Sequence, residues 1–178
     1  MMEFHATTIC AVKRGDDDIC IGGDGQVTMG KTAIMKNSAI KVRKIHDGKV
    51  LTGFAGSVAD AFSLIEKFEK KLQEHGGNLK RAAISLAQLW RRDKTRNLEA
   101  LMIAIDNESM LLISGTGEVI EPDDNFMAIG SGGNYAFSAA KALYENTDMD
   151  AESIMRKSLE IAASICVYTN DHISIEKL

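Results

Sequence analysis

The sequence predicts an α+β protein in which antiparallel sheets carry helices on their outer faces. The predicted elements follow the order strands, two helices, strands, two helices, strand. Most neighbouring strands are joined by short turns, as in antiparallel hairpins, and the helices come in adjacent pairs. A doubly wound parallel sheet would instead alternate single strands and single helices. The 178 residues are enough for one domain with its own core.

The first part of the chain is predicted to be extended. Its β-rich or apolar runs lie at 7–12, 19–21, 32–36, 40–45 and 49–55. The turn His46-Asp47-Gly48 indicates a hairpin between the last two runs, because Asp-Gly suits positive φ.

Four helices are predicted from apolar residues at helical spacing, from Ser57 to about His75 and at about 79–92, 134–145 and 151–164. Ser57 is a candidate N-cap of the first helix and Asp150 of the fourth. Strands are predicted between Glu99 and Ser114, with a turn at 106–108. Further strands are expected at 118–120 and 126–129 and in a C-terminal segment at 167–176.

Composition excludes several classes of protein. Lys and Arg number 21 against 25 Asp and Glu, a net charge of -4, which argues against nucleic acid as the main partner. No apolar run reaches the 18–20 residues of a membrane span, and the first residues do not resemble a secretory signal. Three cysteines without close pairing predict neither a disulfide framework nor a zinc site. We therefore expect a cytoplasmic protein with no membrane or nucleic-acid partner.

A glycine-rich turn, Gly130-Ser131-Gly132-Gly133, precedes the third helix. It lacks the Lys-Ser/Thr ending of a P-loop and does not match a dinucleotide fingerprint, so we expect no bound nucleotide. Its amides could still hold a substrate carbonyl or a neighbouring side chain. The chain also lacks a Gly-x-Ser-x-Gly elbow and a His-Glu-x-x-His motif.

The start of the chain offers another chemistry. If residues 1–6 were removed as a propeptide, Thr7 would carry both a hydroxyl and a free α-amine. An N-terminal amine can act as the base that activates a threonine hydroxyl. Its pKa of about 7.7–8 leaves much of it neutral near physiological pH. When composition alone is considered, the plainer interpretation is favoured, in which Thr7 is an ordinary strand residue that follows a disordered N-terminal tail.

A set of short motifs changes that balance. In chain order they are Thr7-Thr8-Ile9, Gly23-Asp24-Gly25-Gln26, Lys41-Val42-Arg43-Lys44, Gly53-Phe54-Ala55-Gly56-Ser57, Leu98-Glu99-Ala100, Ile129-Gly130-Ser131-Gly132-Gly133 and Cys166-Val167-Tyr168-Thr169-Asn170. Each motif alone is weak. The ordered set, which spans the chain from Thr7 onward, closely resembles the HslV (ClpQ) family, the proteolytic subunits of the bacterial ATP-dependent protease HslUV.

The resemblance implies an N-terminal nucleophile hydrolase, an αββα four-layer sandwich related to proteasome β-subunits. It implies a propeptide at 1–6 and one peptidase domain at 7–178. Members of the family assemble as two stacked hexameric rings. Their partner is HslU (ClpY), a hexameric AAA+ ATPase that unfolds the protein substrates.

The resemblance also implies roles for individual residues. Thr7 matches the nucleophile, and Lys41 matches a lysine whose charge lowers the pKa of the amine. Asp24 matches the aspartate that positions this lysine, and Gly53 a glycine whose N–H points at the oxyanion. Ser131 matches a serine near the threonine amine.

A sodium site is implied near the C-terminus, built from the backbone carbonyls of Ala163, Cys166 and Thr169. Many relatives have glycine where Ala163 stands, which matters little if only the carbonyl binds. As a side chain, Cys166 is expected to be a small buried apolar residue rather than a thiol ligand.

The six residues before Thr7 depart from many relatives, which carry only the initiator methionine there. A methionine aminopeptidase would not remove this segment, so the chain would cut itself or be cut by another protease. Two alternatives remain open: a non-catalytic ring subunit that keeps its propeptide, and an amidohydrolase that acts on small amides with the same chemistry.

Overall fold

The structure is a computed structural model that describes residues 4–5, 7–30, 32–56, 58–92 and 100–178. Within these ranges the strands are β1 Phe4–His5, β2 Thr8–Lys13, β3 Ile19–Gly23, β4 Val27–Met29, β5 Ala33–Lys36, β6 Val42–Ile45, β7 Val50–Gly56, β8 Ala100–Ile105, β9 Met110–Ser114, β10 Val119–Ile120, β11 Phe126–Gly130 and β12 Ser174–Lys177. The helices are α1 Val58–Glu74, α2 Leu79–Arg92, α3 Gly133–Asn146 and α4 Ala151–Ile165.

The described strands form three sheets, in the orders β11-β2-β3-β12, β10-β9-β8-β7-β6 and β1-β4-β5. Each recorded strand pairing is antiparallel. The two larger sheets pack face to face around a shared apolar core, whose members include Ile9, Ala11, Ile21, Leu51, Ile103 and Ile129.

Helices cover the outer face of each large sheet. One apolar cluster joins α1 and α2 to the five-stranded sheet through residues such as Phe54, Phe68, Leu72, Leu86 and Met102. A second cluster joins α3 and α4 to the four-stranded sheet, and it includes Cys10, Val12, Phe126, Ala140 and Leu159. The predicted four-layer αββα sandwich is confirmed.

Strand β2 is apolar at nearly every position because it is buried on both faces. Ile9 and Ala11 face the other sheet, whereas Cys10 and Val12 face the α3–α4 layer. A strand buried on both faces has no polar face to alternate with. The three cysteines of the chain are free and buried.

The predicted helices agree with the structure to within one or two residues, and the Asp150 side chain caps α4 by accepting the Ser153 N–H at 2.7 Å. The proposed cap Ser57 lies outside the described residues. The hairpin at 46–48 is confirmed, with positive φ at His46, Asp47 and Gly48.

Two extended segments were not predicted. These are β4, which has only three residues, fewer than a typical strand, and β1, a two-residue strand that pairs with it.

The expected C-terminal strand at 167–176 is largely wrong, because β12 begins only at Ser174. Before it, the Thr169 N–H donates to the Cys166 carbonyl and the His172 N–H to the Asn170 side chain, which closes turns.

Across the described residues, no helix combines the length and the apolar character that crossing a membrane requires.

Candidate active site

Thr7 lies immediately before β2 and is almost fully buried, with 6% of its surface exposed. Its carbonyl accepts a hydrogen bond of 2.9 Å from the Ser131 N–H. Gly130, with φ of +93°, makes this contact possible, since a Cβ there would lie 1.8 Å from the Thr7 oxygen. Thr7 is therefore fixed against the end of β11 by a contact that only glycine permits.

Asp24 follows β3 and is fully buried. Its Oδ1 accepts the Thr8 N–H at 2.7 Å and the Lys41 ammonium at 2.8 Å, and its Oδ2 accepts the Gln26 N–H at 2.9 Å. The Asp24 N–H in turn donates to the Thr8 carbonyl at 3.1 Å. A buried carboxylate is tolerated only with such partners, and these tie it to the residue beside Thr7.

Lys41 precedes β6, and only 8% of its side chain is exposed. Besides Asp24, its Nζ donates to the Gln26 carbonyl at 2.6 Å. Burial lowers the pKa of Lys41, and the neighbouring Asp24 carboxylate offsets part of that effect. The Lys41 ammonium therefore gives up its proton more readily than an exposed lysine does.

Comparisons with known proteins agree with this geometry. A sequence model of the proteasome family, described as proteasome subunit, matches residues 3–178. The chain is 61% identical over 176 residues to the ATP-dependent protease subunit HslV of Caldanaerobacter subterraneus subsp. tengcongensis, covering 98% of this chain and 99% of the relative. The chain belongs to the HslV family of proteasome-type subunits.

Other members of the HslV family are similar over the same length. The HslV subunit of Desulfovibrio desulfuricans is 58% identical over 178 residues, which cover 99% of this chain and 100% of the relative. The crystal structure of eukaryotic HslV from Trypanosoma brucei superimposes with a TM-score of 0.89 at 47% identity, covering 95% of this chain and 97% of that chain. The HslV family and its fold, expected from the motifs, are confirmed.

The structure brings together four of the five residues that the HslV resemblance implied. Asp24 and Lys41 form an ion pair, Asp24 holds the Thr8 backbone, and Ser131 bonds the carbonyl of Thr7. The strand pattern gives the same arrangement, because Ile9 and Ala11 face the second sheet. Continuing their alternation puts Thr7 on the face from which Lys41 approaches.

Gly53 is the exception, because its N–H does not point at the site. The next N–H, that of Phe54, donates to the Lys41 carbonyl on the β6 side at 3.2 Å. Successive N–H groups of a strand point to opposite sides, so the Gly53 N–H points to β8, where Gly53 is paired with Ile103. A Cβ on Gly53 would lie 2.6 Å from the Ile9 side chain, so this glycine allows close packing of the two sheets.

The end of β7 is nearer to Thr7. Ala55 lies beside Gly130, whose hypothetical Cβ would be 3.3 Å from the Ala55 Cβ and 1.8 Å from the Thr7 oxygen. Gly56 follows with φ of +138° and is exposed. By the alternation of the strand, its N–H points to the same side as that of Phe54, beyond the end of β6.

The residues implied in a sodium site lie at the end of α4. Ala163 belongs to the last helical turn, where carbonyls run out of intrahelical donors, and the Cys166 carbonyl accepts the Thr169 N–H at 3.0 Å. Carbonyl oxygens at the negative end of a helix suit a hard cation, so these residues fit the group. The described residues contain no cluster of His, Cys, Asp or Glu that could hold a metal.

Sequence reasoning missed two functions of polar residues near Thr7. The Thr8 hydroxyl bonds the Gly132 N–H and the Thr169 hydroxyl, although Thr169 was expected to contribute only its carbonyl. The Asn170 side-chain oxygen accepts the Gly25 N–H at 2.9 Å, and the Asn170 backbone N–H donates to the Asp24 Oδ2 at 3.3 Å. A polar residue at a strand position that faces a helix layer was the available signal, since it needs a buried partner.

Proposed function

We propose that this chain is the threonine peptidase subunit of an ATP-dependent protease of the HslUV type, with Thr7 as its nucleophile. The observation that carries the proposal is the position of Thr7. It is buried between the Gly130-Ser131 turn, which bonds its carbonyl, and the Asp24–Lys41 ion pair, which bonds the backbone of the next residue.

The proposed reaction begins once the bond between Ala6 and Thr7 has been hydrolysed. The free α-amine of Thr7 takes the proton of its hydroxyl as Oγ1 attacks the scissile carbonyl carbon. The tetrahedral intermediate collapses, the protonated amine gives its proton to the leaving amine, and an acyl ester remains on Thr7. Water then attacks the ester with the same amine as base, which releases the acid and restores the hydroxyl.

Lys41 and Asp24 tune this nucleophile without bonding the substrate. The positive charge of Lys41 disfavours protonation of a nearby amine, which keeps more of the base in its working form. Asp24 bonds the Lys41 ammonium at 2.8 Å and the Thr8 N–H at 2.7 Å. The same carboxylate therefore positions both the charge of Lys41 and the backbone next to the nucleophile. Ser131, whose N–H bonds the Thr7 carbonyl, would orient the amine or carry its proton.

For the oxyanion, the N–H of Gly56 is a better donor than that of Gly53. Gly56 ends β7 on the exposed rim beside Ala55, and its N–H points away from β8. A backbone N–H at a strand end can meet a substrate carbonyl, whereas one within a sheet ladder is already bonded.

The wider assembly is part of the same proposal. It comprises two stacked hexameric rings of this chain, the HslU (ClpY) ATPase as partner, unfolded proteins as substrates and the cytoplasm as location. A sodium ion held by the carbonyls of Ala163, Cys166 and Thr169 would stabilise the turn that carries Asn170. The name of the relatives, ATP-dependent protease subunit HslV, supports the ATPase partner, and the fit of the α4 carbonyls supports the sodium ion.

The test is the Thr7→Ala variant, with the exposed Thr116→Ala as matched control. We expect Thr7→Ala to elute as the same oligomer as the wild type, to keep residues 1–6 and to lose protein degradation with HslU and ATP. A loss on the order of 10⁴-fold or more is typical when a nucleophile is removed. Intact mass and the rate of degradation of an unfolded protein are the measurements.

Substantial hydrolysis by Thr7→Ala would overturn the assignment. A wild-type mass that stays full-length after long incubation, without activity, would favour the non-catalytic subunit. Cleavage of small amides together with no dependence of protein degradation on HslU would favour the amidohydrolase.

A further inference from the structure

Every polar atom of Thr8 is engaged, although the residue is fully buried. Its N–H and carbonyl bond the Asp24 carboxylate and N–H at 2.7 and 3.1 Å. Its Oγ1 accepts the Gly132 N–H at 2.9 Å and lies 2.7 Å from the Oγ1 of Thr169. Thr169 is itself only 5% exposed. The residue after the proposed nucleophile is therefore held from three directions.

The hydroxyl pair joins segments that are far apart in the chain, since Thr8 and Thr169 are separated by 161 residues. Thr8 belongs to β2, Gly132 precedes α3, and Thr169 lies in the turn after α4. Gly132 uses one lone pair of the Thr8 oxygen, which leaves the second lone pair and the hydroxyl proton for Thr169, so either threonine can be the donor in this bond.

The local packing leaves room for this pair and for little else. A Cβ at Gly132 would lie 2.6 Å from the Thr8 Oγ1 and 2.7 Å from the Thr169 Oγ1. The absence of a side chain at 132 lets the two hydroxyls meet over the backbone. The same turn contributes Ser131, whose N–H bonds the Thr7 carbonyl at 2.9 Å.

We propose that the buried Thr8–Thr169 hydroxyl pair is a positioning device for Thr7, and that the two hydroxyls act as one unit. The inference rests on the proposed function, in which Thr7 is the nucleophile. The pair touches no reacting atom. It fixes β2 against the Gly132 turn, and through Thr8 it fixes the backbone that carries the Thr7 hydroxyl and amine. A small displacement of a nucleophile lowers the rate of the chemical step more than it weakens substrate binding.

The experiment is a double-mutant cycle with Thr8→Val, Thr169→Val and the double variant. Valine keeps the shape and removes the hydroxyl. Each chain is produced as a fusion whose removal leaves Thr7 first, so that processing does not limit activity. Peptide hydrolysis with HslU and ATP gives kcat and KM per Thr7 titrated by a covalent peptide inhibitor. Thr52→Val, which removes another buried hydroxyl, that of β7, is the matched control.

We expect each single variant to lower kcat about tenfold with KM changed less than twofold, which corresponds to one hydrogen bond of ordinary strength. We expect the double variant to be no worse than Thr8→Val, because a unit is lost only once. Thr8→Ser and Thr169→Ser should keep more than half of the wild-type kcat, and Thr52→Val should leave kcat unchanged.

The proposal is overturned if the valine variants keep kcat within twofold of the wild type, or if the single losses multiply in the double variant. It is also overturned if the serine variants, which keep the hydroxyls, lose as much kcat as the valine variants. Failure of the proposed function is separately visible, because Thr7→Ala in the otherwise wild-type chain would then remain active.

Discussion

The two ends of the sandwich satisfy their polar groups in different ways. At the site end, hydrogen bonds join distant parts of the chain. We use this name for Thr7 and the residues around it, which are Thr8, Asp24, Gly25, Lys41, the turn at 130–132, Thr169 and Asn170. Thr8 and Thr169 are 161 residues apart, and Gly25 and Asn170 are 145 apart. At the turn end, which comprises the turns at 46–49, 76–80 and 106–109, most of the bonds are local, and the main exception is the bond from the Lys13 ammonium to the Asn107 carbonyl.

The turn end illustrates the local pattern. The Lys49 N–H donates to the His46 carbonyl, and Asp106 accepts the N–H groups of Glu108 and Ser109. A cavity of about 780 Å³ opens among these turns, away from Thr7. The residues that line this cavity do not include Thr7, Asp24 or Lys41, so it is separate from the site of the proposed chemistry.

The difference indicates that the geometry of the site end depends on long-range hydrogen bonds, whereas the turn end is held mainly by bonds within each turn. A turn bonded to itself can form early and tolerate change, whereas a bond between distant residues exists only once the whole fold is in place. Substitutions at the site end should therefore affect both stability and activity, and those at the turn end stability alone.

The largest expected effect on stability and activity is that of Asp24→Asn at the site end, compared with Asp106→Asn at the turn end. Asp24→Asn removes the charge that faces Lys41 and gives an amide that cannot accept from all of its present donors. We expect a loss of about 3–5 kcal/mol in unfolding free energy, as for other broken buried ion pairs, and a large loss of activity. Chemical denaturation and peptide hydrolysis measure the two effects.

Asp106→Asn is its control at the turn end. It keeps an acceptor for the Glu108 and Ser109 N–H groups, so both quantities should change little. Equal losses in the two variants would remove the contrast between the ends.

A moderate effect is expected from Asn78→Ala at the turn end. The Asn78 side chain accepts the Arg81 N–H at 2.9 Å and so caps α2. Its removal should lower the unfolding free energy by about 1 kcal/mol, as other cap losses do. Activity measured below the unfolding transition should stay at the wild-type level, and a tenfold loss of activity would show that the turn end reaches the site.

The smallest effect concerns pH and Lys41. Because burial lowers the pKa of Lys41 below its ordinary value of 10.5, the unfolded chain binds this proton more tightly than the folded chain. Folding is therefore disfavoured by this group at lower pH, and its contribution should become more favourable as pH rises from the lowered pKa toward 10.5.

The measurement is the unfolding free energy of the wild type minus that of Lys41→Met, followed from neutral to alkaline pH. The difference should shift in favour of the wild type as pH rises. Asn78→Ala, which removes no ionisable group, should show a constant difference, and a falling wild-type advantage would contradict the lowered pKa.

The same contrast explains what could be predicted from the sequence. The hairpin at His46-Asp47-Gly48 and the cap at Asp150 are local signals, and both are confirmed. The approach of Asp24 and Lys41 came from the resemblance of the motifs rather than from any pattern within the residues. Spacing alone gives no reason to join residues of different strands.

Two failures have physical causes. Gly53 was assigned from its position in a motif, but the side to which a strand N–H points depends on the pairing register, which the sequence does not display. The Thr8–Thr169 pair depends on how the α4 layer sits over β2, which is a property of the complete packing.

The short strand β1 bears on the proposed removal of residues 1–6. Phe4 and His5 lie antiparallel to Met29 and Thr28, so these two residues are held along β4 by backbone pairing. A strand of two residues is too weak to stay bound once it becomes a separate molecule. Cleavage before Thr7 would remove the high effective concentration that the covalent connection provides, so the released hexapeptide would dissociate from β4. The proposed activation would then be irreversible, because the cleaved segment would not rebind and the precursor would not form again.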